Sequence, residues 1–446
     1  MSSVSTPDVV NLFKKVYGNI HDLQPEDYPL ARDIPFSQKQ RVGDKFVEGV
    51  ILSSEVGITF LGNSADANEI NPAIAGTVKQ AEVEPYATIL PSLIPYAMIS
   101  RSAGGGERAF ADVTKHVVKN NIKSHGKLQE VTRLYGQSTK GLGYVSYATQ
   151  TYRGVAFANG TGTLDSEVTG GAVAFTNGIN VAAKAILFAP GQFASGFWVG
   201  SEKIIVQQVE TSGGSVVAEG QMTGVDALQG MLFVDFVPVA ASSVTSHKIV
   251  FKGWAESKEM IGIHKIMSNP ATLFGISTSQ YSLWRGNKVT IASKKFSLEI
   301  LQLGVANAVN RGGLDGDIMV YVNPRTWANL VTTEAGARTF DQSYKSSEAE
   351  NGFEKITFYH QTGKATITAS RMVKEGEVYA LHLPDWSRSG SAEIGFKVPG
   401  MGDKEEIFPL ESVTAYCFRS YSDQYVFCHT PAKSILWEGI NDEATS

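Results

Sequence analysis

The chain has 446 residues, of which 43% are hydrophobic and 19% charged, with a formal net charge of -5. This composition is that of an ordinary globular protein with room for two or three domains. The weak acidic balance argues against a dedicated nucleic-acid binder, which needs a dense basic surface. Neither a signal peptide nor an apolar run of about 20 residues is present, so we expect a cytosolic chain without a membrane partner.

Residues 1–40 are predicted to form an N-terminal arm. Pro25, Pro29 and Pro35 interrupt any helix, and single apolar anchors such as Leu30 and Phe36 stand among charges. This pattern is typical of a strap that lies on another surface rather than of a core element.

Residues 41–100 are predicted to form a long extended hairpin. Two β-like stretches, which begin with "DKFVEGVILSS" and "GTVKQAEVEPYATIL", flank the polar segment "GNSADANEINPAIAG". Pro85, Pro91 and Pro95 exclude a central position in a sheet. A largely polar hairpin buries little within its own subunit, so we expect it to be stabilised by a neighbour.

Three glycines, Gly104, Gly105 and Gly106, stand directly before the strongest helical pattern of the chain, from Glu107 to about Tyr135. The stretch lacks the lysine-hydroxyl pair of a phosphate-binding loop, and Glu107 would repel a phosphate at the helix start. Glycine permits a sharp change of direction, so we interpret the three glycines as a hinge. The remainder of 101–150 is expected to begin a peripheral domain.

The rest of the chain is predicted to contain a β-rich insertion and an α/β body. Residues 151–255, rich in Gly, Ser, Val and Ala, indicate an inserted β-barrel or sandwich. Residues 256–390 alternate helices and strands, with a helix that stops at Gly312-Gly313 and another opened by Asn323-Pro324. Residues 391–446 are predicted to be closing strands.

The two cysteines, Cys417 and Cys428, lie in "TAYCFRSYSDQYVFCHT". A hairpin turning at Ser422-Asp423 would place their thiols opposite each other. Two reduced, buried thiols are nevertheless the favoured state in a cytosolic chain.

Catalytic, cofactor and metal motifs are not recognised in the sequence, so we expect a protein that is not an enzyme. His116 and His125, nine residues apart on one helix, fall on opposite faces. Glu256 and Glu259 are the acid/base pair that a hydrolase would use, although a solvated face is the simpler interpretation.

The order of these parts resembles the major capsid proteins of tailed bacteriophages, which have the Hong Kong 97-type shell fold. The segments that carry the resemblance are "YATILPSLIPYAMISRSAGGGERAFADVTKHVVKNNIKSHGKLQEVTRLYG", "KEMIGIHKIMSNPATLFGISTSQYSLWRGNKV" and "FRSYSDQYVFCHTPAKSILWEGI". The likeness extends from about Val9 to the end of the chain. It implies an α+β fold with an N-terminal arm, an extended loop, a spine helix, peripheral and axial domains and an inserted β-rich domain.

The resemblance also implies a function and a set of partners. We expect self-assembly through hexamers and pentamers into an icosahedral shell around double-stranded DNA, with procapsid expansion, in the cytoplasm of a host bacterium. A separate scaffolding protein, a portal, non-specific contact with DNA and, as an optional partner, a decoration protein follow from it. The inter-subunit loop residues expected on this basis are Lys45, Phe46, Lys79, Glu82 and Glu84, and no covalent cross-link is predicted.

Three alternatives remain open from the sequence. The first is an encapsulin-like compartment shell, which encloses enzymes instead of a genome. The second is a hydrolase that carries a β-sandwich. The third is a virion tube or baseplate protein that assembles as stacked rings.

Overall fold

The structure is a computed structural model. It describes residues 28–39, 45–61, 69–96, 107–144, 258–337, 356–396, 407–409 and 413–442, with short segments between 150 and 251. Within these residues the helices are α1 (Pro29–Asp33), α2 (Glu107–Tyr135), α3 (Ile263–Met267), α4 (Leu298–Gly312) and α5 (Pro324–Ala337). None of the described helices is long and apolar enough to span a bilayer.

The strands fall into three groups along the chain. The first comprises β1 (Phe36–Gln38), β2 (Phe46–Ser53), β3 (Thr77–Val83) and β4 (Tyr86–Pro95). The second comprises β5 (Gly143–Tyr144), β6 (Gln150–Tyr152), β7 (Val155–Phe157), β8 (Gly162–Thr163), β9 (Ala172–Val173), β10 (Phe175–Thr176), β11 (Ile179–Asn180), β12 (Ala185–Leu187), β13 (Lys203–Gln208), β14 (Val216–Asp226), β15 (Met231–Val234) and β16 (His247–Phe251). The third comprises β17 (Thr272–Leu273), β18 (Ile276–Ser277), β19 (Asn287–Thr290), β20 (Ile318–Val322), β21 (Ile356–His360), β22 (Gly363–Ala369), β23 (Glu377–Leu381), β24 (Trp386–Gly395), β25 (Ile407–Pro409), β26 (Ala415–Cys428) and β27 (Ile435–Glu438).

The α/β body is built on a mixed sheet with the order β19-β27-β23-β20-β22-β21. Helix α4 packs so closely against β27 that a Cβ on Gly304 would overlap the Trp437 ring. The predicted helix stop is confirmed, since Gly313 ends α4 with φ 63°. At the start of α4, Ser297 Oγ accepts the Ile300 N–H. Asn323 Oδ1 likewise accepts the Arg325 N–H at the start of α5.

A second sheet has the order β1-β24-β26-β25, with β4 also paired to β26. Strand β26 runs unbroken through Ser422 and Asp423, so the hairpin proposed at these residues is wrong. Both side chains are fully buried and have partners within the sheet, since Ser422 Oγ accepts from Gln424 and Asp423 accepts from the Ser391 hydroxyl. Cys417 and Cys428 therefore lie at opposite ends of one strand as free, buried thiols.

The extended hairpin is shorter than the predicted range of 41–100. Strands β2 and β3 form it, whereas β4 pairs along its length with β26, Tyr86 with Gln424 and Pro95 with Ala415. Because β4 pairs only with β26 among the described strands, its prolines occupy an edge, where a missing N–H is tolerated. The predicted boundary between the α/β body (256–390) and the closing strands (391–446) falls inside strand β24 (Trp386–Gly395).

The predicted insertion contributes an antiparallel sheet to the described residues. Its order is β10-β11-β12-β15-β14-β13-β16-β5, and short pairs β6/β7 and β8/β9 lie outside it. The sheet closes on β5, which directly follows α2 in the chain, so the insertion leaves and returns beside the end of that helix.

The C-terminal end of α2 is locked to the segment that returns from the insertion. Gly262 N–H donates to Gly136 O at 2.9 Å, so the two backbones touch. A Cβ on Gly136 would overlap Met260 O, which cannot move without breaking this contact. Glycine is required here for close approach.

We expect Gly136→Ala to lower the free energy of unfolding by about 1–3 kcal/mol, since it overpacks a backbone contact. The matched control is Gly126→Ala on the same helix, where the added Cβ meets Tyr28 at an ordinary 3.6 Å. That control should gain up to about 1 kcal/mol from helix propensity. Thermal unfolding measures both, and an equal effect of the two substitutions would contradict the close backbone contact at Gly136.

Candidate assembly surface

The base of the β2–β3 hairpin packs on its own chain through one face. Exposed and buried side chains alternate along β2, and Phe46, Val50 and Leu52 point to the buried side. Phe46 contacts Tyr425, with ring centroids 4.7 Å apart, and Glu82 N–H donates to Phe274 O at 3.1 Å. The hairpin is therefore held firmly at its base by the body of the subunit.

The opposite face and the distal part of the hairpin carry a set of exposed apolar side chains, which we call the apolar row. Its members are each more than half exposed: Ile51, Val56, Ile58, Phe60, Leu61, Ile70, Ile74 and Val78. Ile51 and Val78 are directly opposite each other in the strand register. Phe60, at 91% exposure, is the most exposed of the row. Large apolar side chains exposed in such a group are typical of an interaction site.

The distal part keeps its shape through polar contacts instead of a core. Val56 and Ile74 form a β-bridge with N···O distances of 3.0 and 2.7 Å. Asn71 donates its side-chain amide to Ile58 O at 2.9 Å and its backbone N–H to Thr59 Oγ1 at 2.8 Å. The apolar row is thus presented on a hydrogen-bonded extension that does not bury it.

The residues predicted from the sequence as inter-subunit contacts have different surroundings. Lys45, Lys79, Glu82 and Glu84 are exposed or partly exposed on the hairpin. Lys45 Nζ lies 2.8 Å from Glu82 Oε2 and 3.8 Å from Glu84 Oε1, and the hydrogen bond to Glu82 raises the Lys45 pKa. Phe46 is 1% exposed, so its predicted contact with another subunit is corrected to a contact within its own core.

The apolar row was not predicted, because residues 41–100 were interpreted as a largely polar hairpin; four of its eight residues lie in the stretch "VGITFL", residues 56–61. The sequence did contain a signal for the apolar row. The large apolar residues stand next to a Gly-, Ala- and Asn-rich segment that offers no apolar strand to cover them.

The predicted hinge precedes α2 in the chain. Gly104, Gly105 and Gly106 all lie outside the described residues, which resume at Glu107. Their role as a hinge therefore stays a prediction.

The arm lies on α2 and on the two sheets of the body. Leu30 N–H donates to Glu130 Oε1 at 2.6 Å, and Tyr28 OH donates to Lys123 O at 2.9 Å. Tyr321 OH donates to Asp33 Oδ2 at 2.7 Å, while β1 pairs with β24 in parallel. The strap predicted from the prolines therefore has its support within the same subunit in residues 28–38.

A buried histidine joins α2 to the sheet beneath the hairpin. His125 Nδ1 lies 2.8 Å from Ser420 Oγ and Nε2 lies 2.8 Å from Thr88 Oγ1. Burial, followed by the positive charge of Arg133, lowers the His125 pKa to about 4. The side chain is therefore neutral at physiological pH and bridges β26 and β4.

The candidate hydrolase pair is not a described acid/base pair. Glu256 lies outside the described residues, and Glu259 is 5% exposed with Oε1 accepting the Gln137 N–H at 2.8 Å. Burial raises the Glu259 pKa to about 8, which keeps the carboxyl mostly protonated at neutral pH. Its hydrogen bond with Gln137, just beyond the end of α2, gives Glu259 a structural role.

Comparison with known proteins bears on the fold. No family model matches the chain, and no curated protein matches it. Among solved structures, a chain of the cyanophage A-1(L) capsid asymmetric unit aligns with a TM-score of 0.54 at 9% identity, covering 96% of this chain and 97% of that one. This full-length likeness shows that the chain has the α+β Hong Kong 97-type shell fold, as the sequence predicted.

Two further solved structures align at lower scores. The capsid of a native GTA particle has a TM-score of 0.48 at 6% identity, covering 95% of this chain and 94% of that one. The holo-SrpI encapsulin complex from Synechococcus elongatus has a TM-score of 0.42 at 6% identity, covering 98% and 97%.

The two faces of the hairpin should respond differently to truncation. We expect Phe46→Ala to cost about 3–5 kcal/mol of unfolding free energy because it opens a cavity in the core. Ile51→Ala, on the exposed face of the same strand, should change it by less than about 0.5 kcal/mol. Urea denaturation of the unassembled chain measures both, and similar losses would show that the assignment of faces is incorrect.

Acid should weaken the contact of α2 with the sheet. The His125 pKa is depressed from 6.5 to about 4, so the unfolded chain takes up the proton first and stability is lost as pH falls between these values. The loss amounts to at most about 3 kcal/mol. His125→Gln should remove this part of the acid sensitivity, whereas His429→Gln, which alters an exposed residue, should not. Thermal midpoints at pH 7 and about pH 4.5 provide the comparison, and an unchanged acid response in His125→Gln would refute it.

Proposed function

We propose that this chain is the major capsid protein of a tailed bacteriophage and that it self-assembles into the icosahedral shell around a double-stranded DNA genome. The fold supports this proposal, and so does the location of the apolar row on a projecting hairpin. The observation that carries it is that this row is exposed in the single subunit although its base is tightly packed. A second copy of the chain supplies the missing partner surface.

The energetics of the row suit assembly. Burial of an exposed Val, Leu, Ile or Phe side chain is worth about 1.5–3 kcal/mol, so the row as a whole provides on the order of 10–20 kcal/mol before the costs of association. Each subunit contributes one hairpin and receives one in a closed ring, so this gain recurs around every hexamer and pentamer. Many individually modest contacts then build a stable shell.

The other parts take roles that follow from this proposal. The hinge at Gly104, Gly105 and Gly106 lets the hairpin change its angle to α2 when the procapsid expands. The insertion lies at the shell surface, where it contacts a neighbour or a decoration protein. A separate scaffolding protein and a portal act in assembly in the bacterial cytoplasm, contact with packaged DNA is non-specific, and the chain acts without catalysis.

The assembly role of the apolar row is tested by placing a charge on it. We expect Ile58→Asp and Phe60→Asp to reduce the yield of closed shells at least about tenfold while leaving the thermal midpoint of the free subunit unchanged, because neither side chain packs in its own core. Electron microscopy and sedimentation measure the yield when each variant is co-expressed with a scaffolding protein.

The matched control is Ser54→Asp, which adds the same charge to an exposed polar position of the same hairpin. It should assemble as the unaltered chain does. Shells at unaltered yield from Ile58→Asp and Phe60→Asp would contradict the role of the row. A wild-type chain that stays a monomer or dimer under every condition would contradict the capsid function itself.

A further inference from the structure

Three metal-ligating side chains meet in the body of the subunit, far along the chain from the hairpin. His264 is on α3, Glu377 begins β23 and Glu438 ends β27. One ligand atom from each, His264 Nε2 and one carboxylate oxygen of each glutamate, lies within 4.8 Å of the other two. All three residues are buried, so three elements that are distant in sequence converge on one point.

The separations match those of ligands around a small cation. His264 Nε2 is 3.1 Å from Glu438 Oε1 and 3.9 Å from Glu377 Oε1. Nitrogen and oxygen ligands at about 2.1 Å from a tetrahedral ion stand roughly 3.4 Å apart, which falls between these two distances. Two of the three separations therefore bracket the spacing of ligands around an ion, and the third is no more than 4.8 Å.

One of the three ligand atoms has no hydrogen-bond partner in the described part of the chain. Glu377 is 1% exposed, and its Oε1 accepts no hydrogen bond from the described residues, whereas Oε2 accepts the Tyr379 hydroxyl at 2.6 Å. Buried carboxylate oxygens are normally hydrogen-bonded or bound to a cation. The unpartnered oxygen is therefore an independent indication that a cation belongs beside it.

The remaining polar atoms of the three side chains are held by a surrounding shell of partners. His264 Nδ1 is 2.9 Å from Ser138 Oγ, which orients the ring so that Nε2 points to the glutamates. Glu438 Oε2 accepts from Lys140 Nζ at 2.9 Å and from Lys288 Nζ at 3.1 Å, so a bound ion replaces only the hydrogen bond between His264 Nε2 and Glu438 Oε1. Metal-binding histidines and carboxylates characteristically have such outer partners.

A cleft lies beside this point. Glu377 and Glu438 line a cavity of about 360 Å³ together with Lys140, Asn441 and Gly191, the last of which belongs to the insertion. A water molecule in this cavity can complete the coordination of an ion that has three protein ligands. The two glutamates of the cluster therefore border the place where the insertion meets the α/β body.

We propose that His264 Nε2, Glu377 Oε1 and Glu438 Oε1 bind one divalent transition-metal ion of the zinc type. The imidazole ligand favours Zn²⁺ over Mg²⁺ or Ca²⁺, which prefer all-oxygen sites. The ion joins α3, β23 and β27 and so stabilises the junction beside the insertion. This proposal stands independently of the function in assembly, because it concerns the folded subunit alone.

The test uses the full chain, stripped with a chelator and dialysed against Zn²⁺. Equilibrium dialysis with elemental analysis gives the stoichiometry and affinity, and thermal unfolding gives the accompanying stabilisation. We expect one Zn²⁺ per chain, a higher thermal midpoint, and no displacement by a roughly hundredfold excess of Mg²⁺. Glu377→Gln, which keeps the shape but replaces one carboxylate oxygen by an amide NH2 group, should weaken binding at least about tenfold.

The control is Glu259→Gln, which makes the same substitution at a buried carboxyl group that also has one oxygen unpaired among the described residues but lies outside the cluster. It should bind Zn²⁺ as the unaltered chain does. Binding of Zn²⁺ with equal affinity by Glu377→Gln would assign the ion to surface residues and overturn the proposal. Failure of the stripped, folded wild-type chain to bind would overturn it as well, whether or not Glu377→Gln folds.

Discussion

The structure depends on how the polar second half of α2 is buried. Glu130 forms an ion pair with Arg133 at 2.7 Å and accepts from the arm, while Arg133 also reaches Gln424 on β26 at 3.3 Å. His125 connects the same helix to Ser420. Since unpaired polar groups in a core are costly, α2 can be buried only when the arm and β26 are in place together. Helix, arm and sheet therefore form one cooperative unit.

This unit determines what the hairpin can do. Because β4 is paired along β26 and contacted by α2, the chain that follows the hairpin is anchored, and Phe46 secures its base against Tyr425. The distal part has no such support among the described residues and exposes its apolar side chains. The hairpin therefore combines a firmly held base with an exposed apolar end.

The end of α2 forms a second junction, where the insertion departs and returns. Gly136 and Gly262 bring two backbones into contact there, and Lys140, just beyond, reaches Glu438 of the α/β sheet at 2.9 Å. The insertion sheet closes on β5 a few residues later. The place where the insertion departs and returns is therefore held by a backbone contact and by the ion pair of Lys140 with Glu438.

The sequence alone determined the elements that depend on local signals. The bounds of α2, the asparagine cap of α5, the glycine stop at Gly313 and the overall shell fold all followed from patterns within a few turns of chain or from their order. Only the tertiary structure decided that Ser422 and Asp423 belong to a continuous strand, since that strand is held between β4 and β24. It also decided which face of β2 is buried, and that His264, Glu377 and Glu438 meet, because alternation and spacing do not report contacts between residues far apart in the chain.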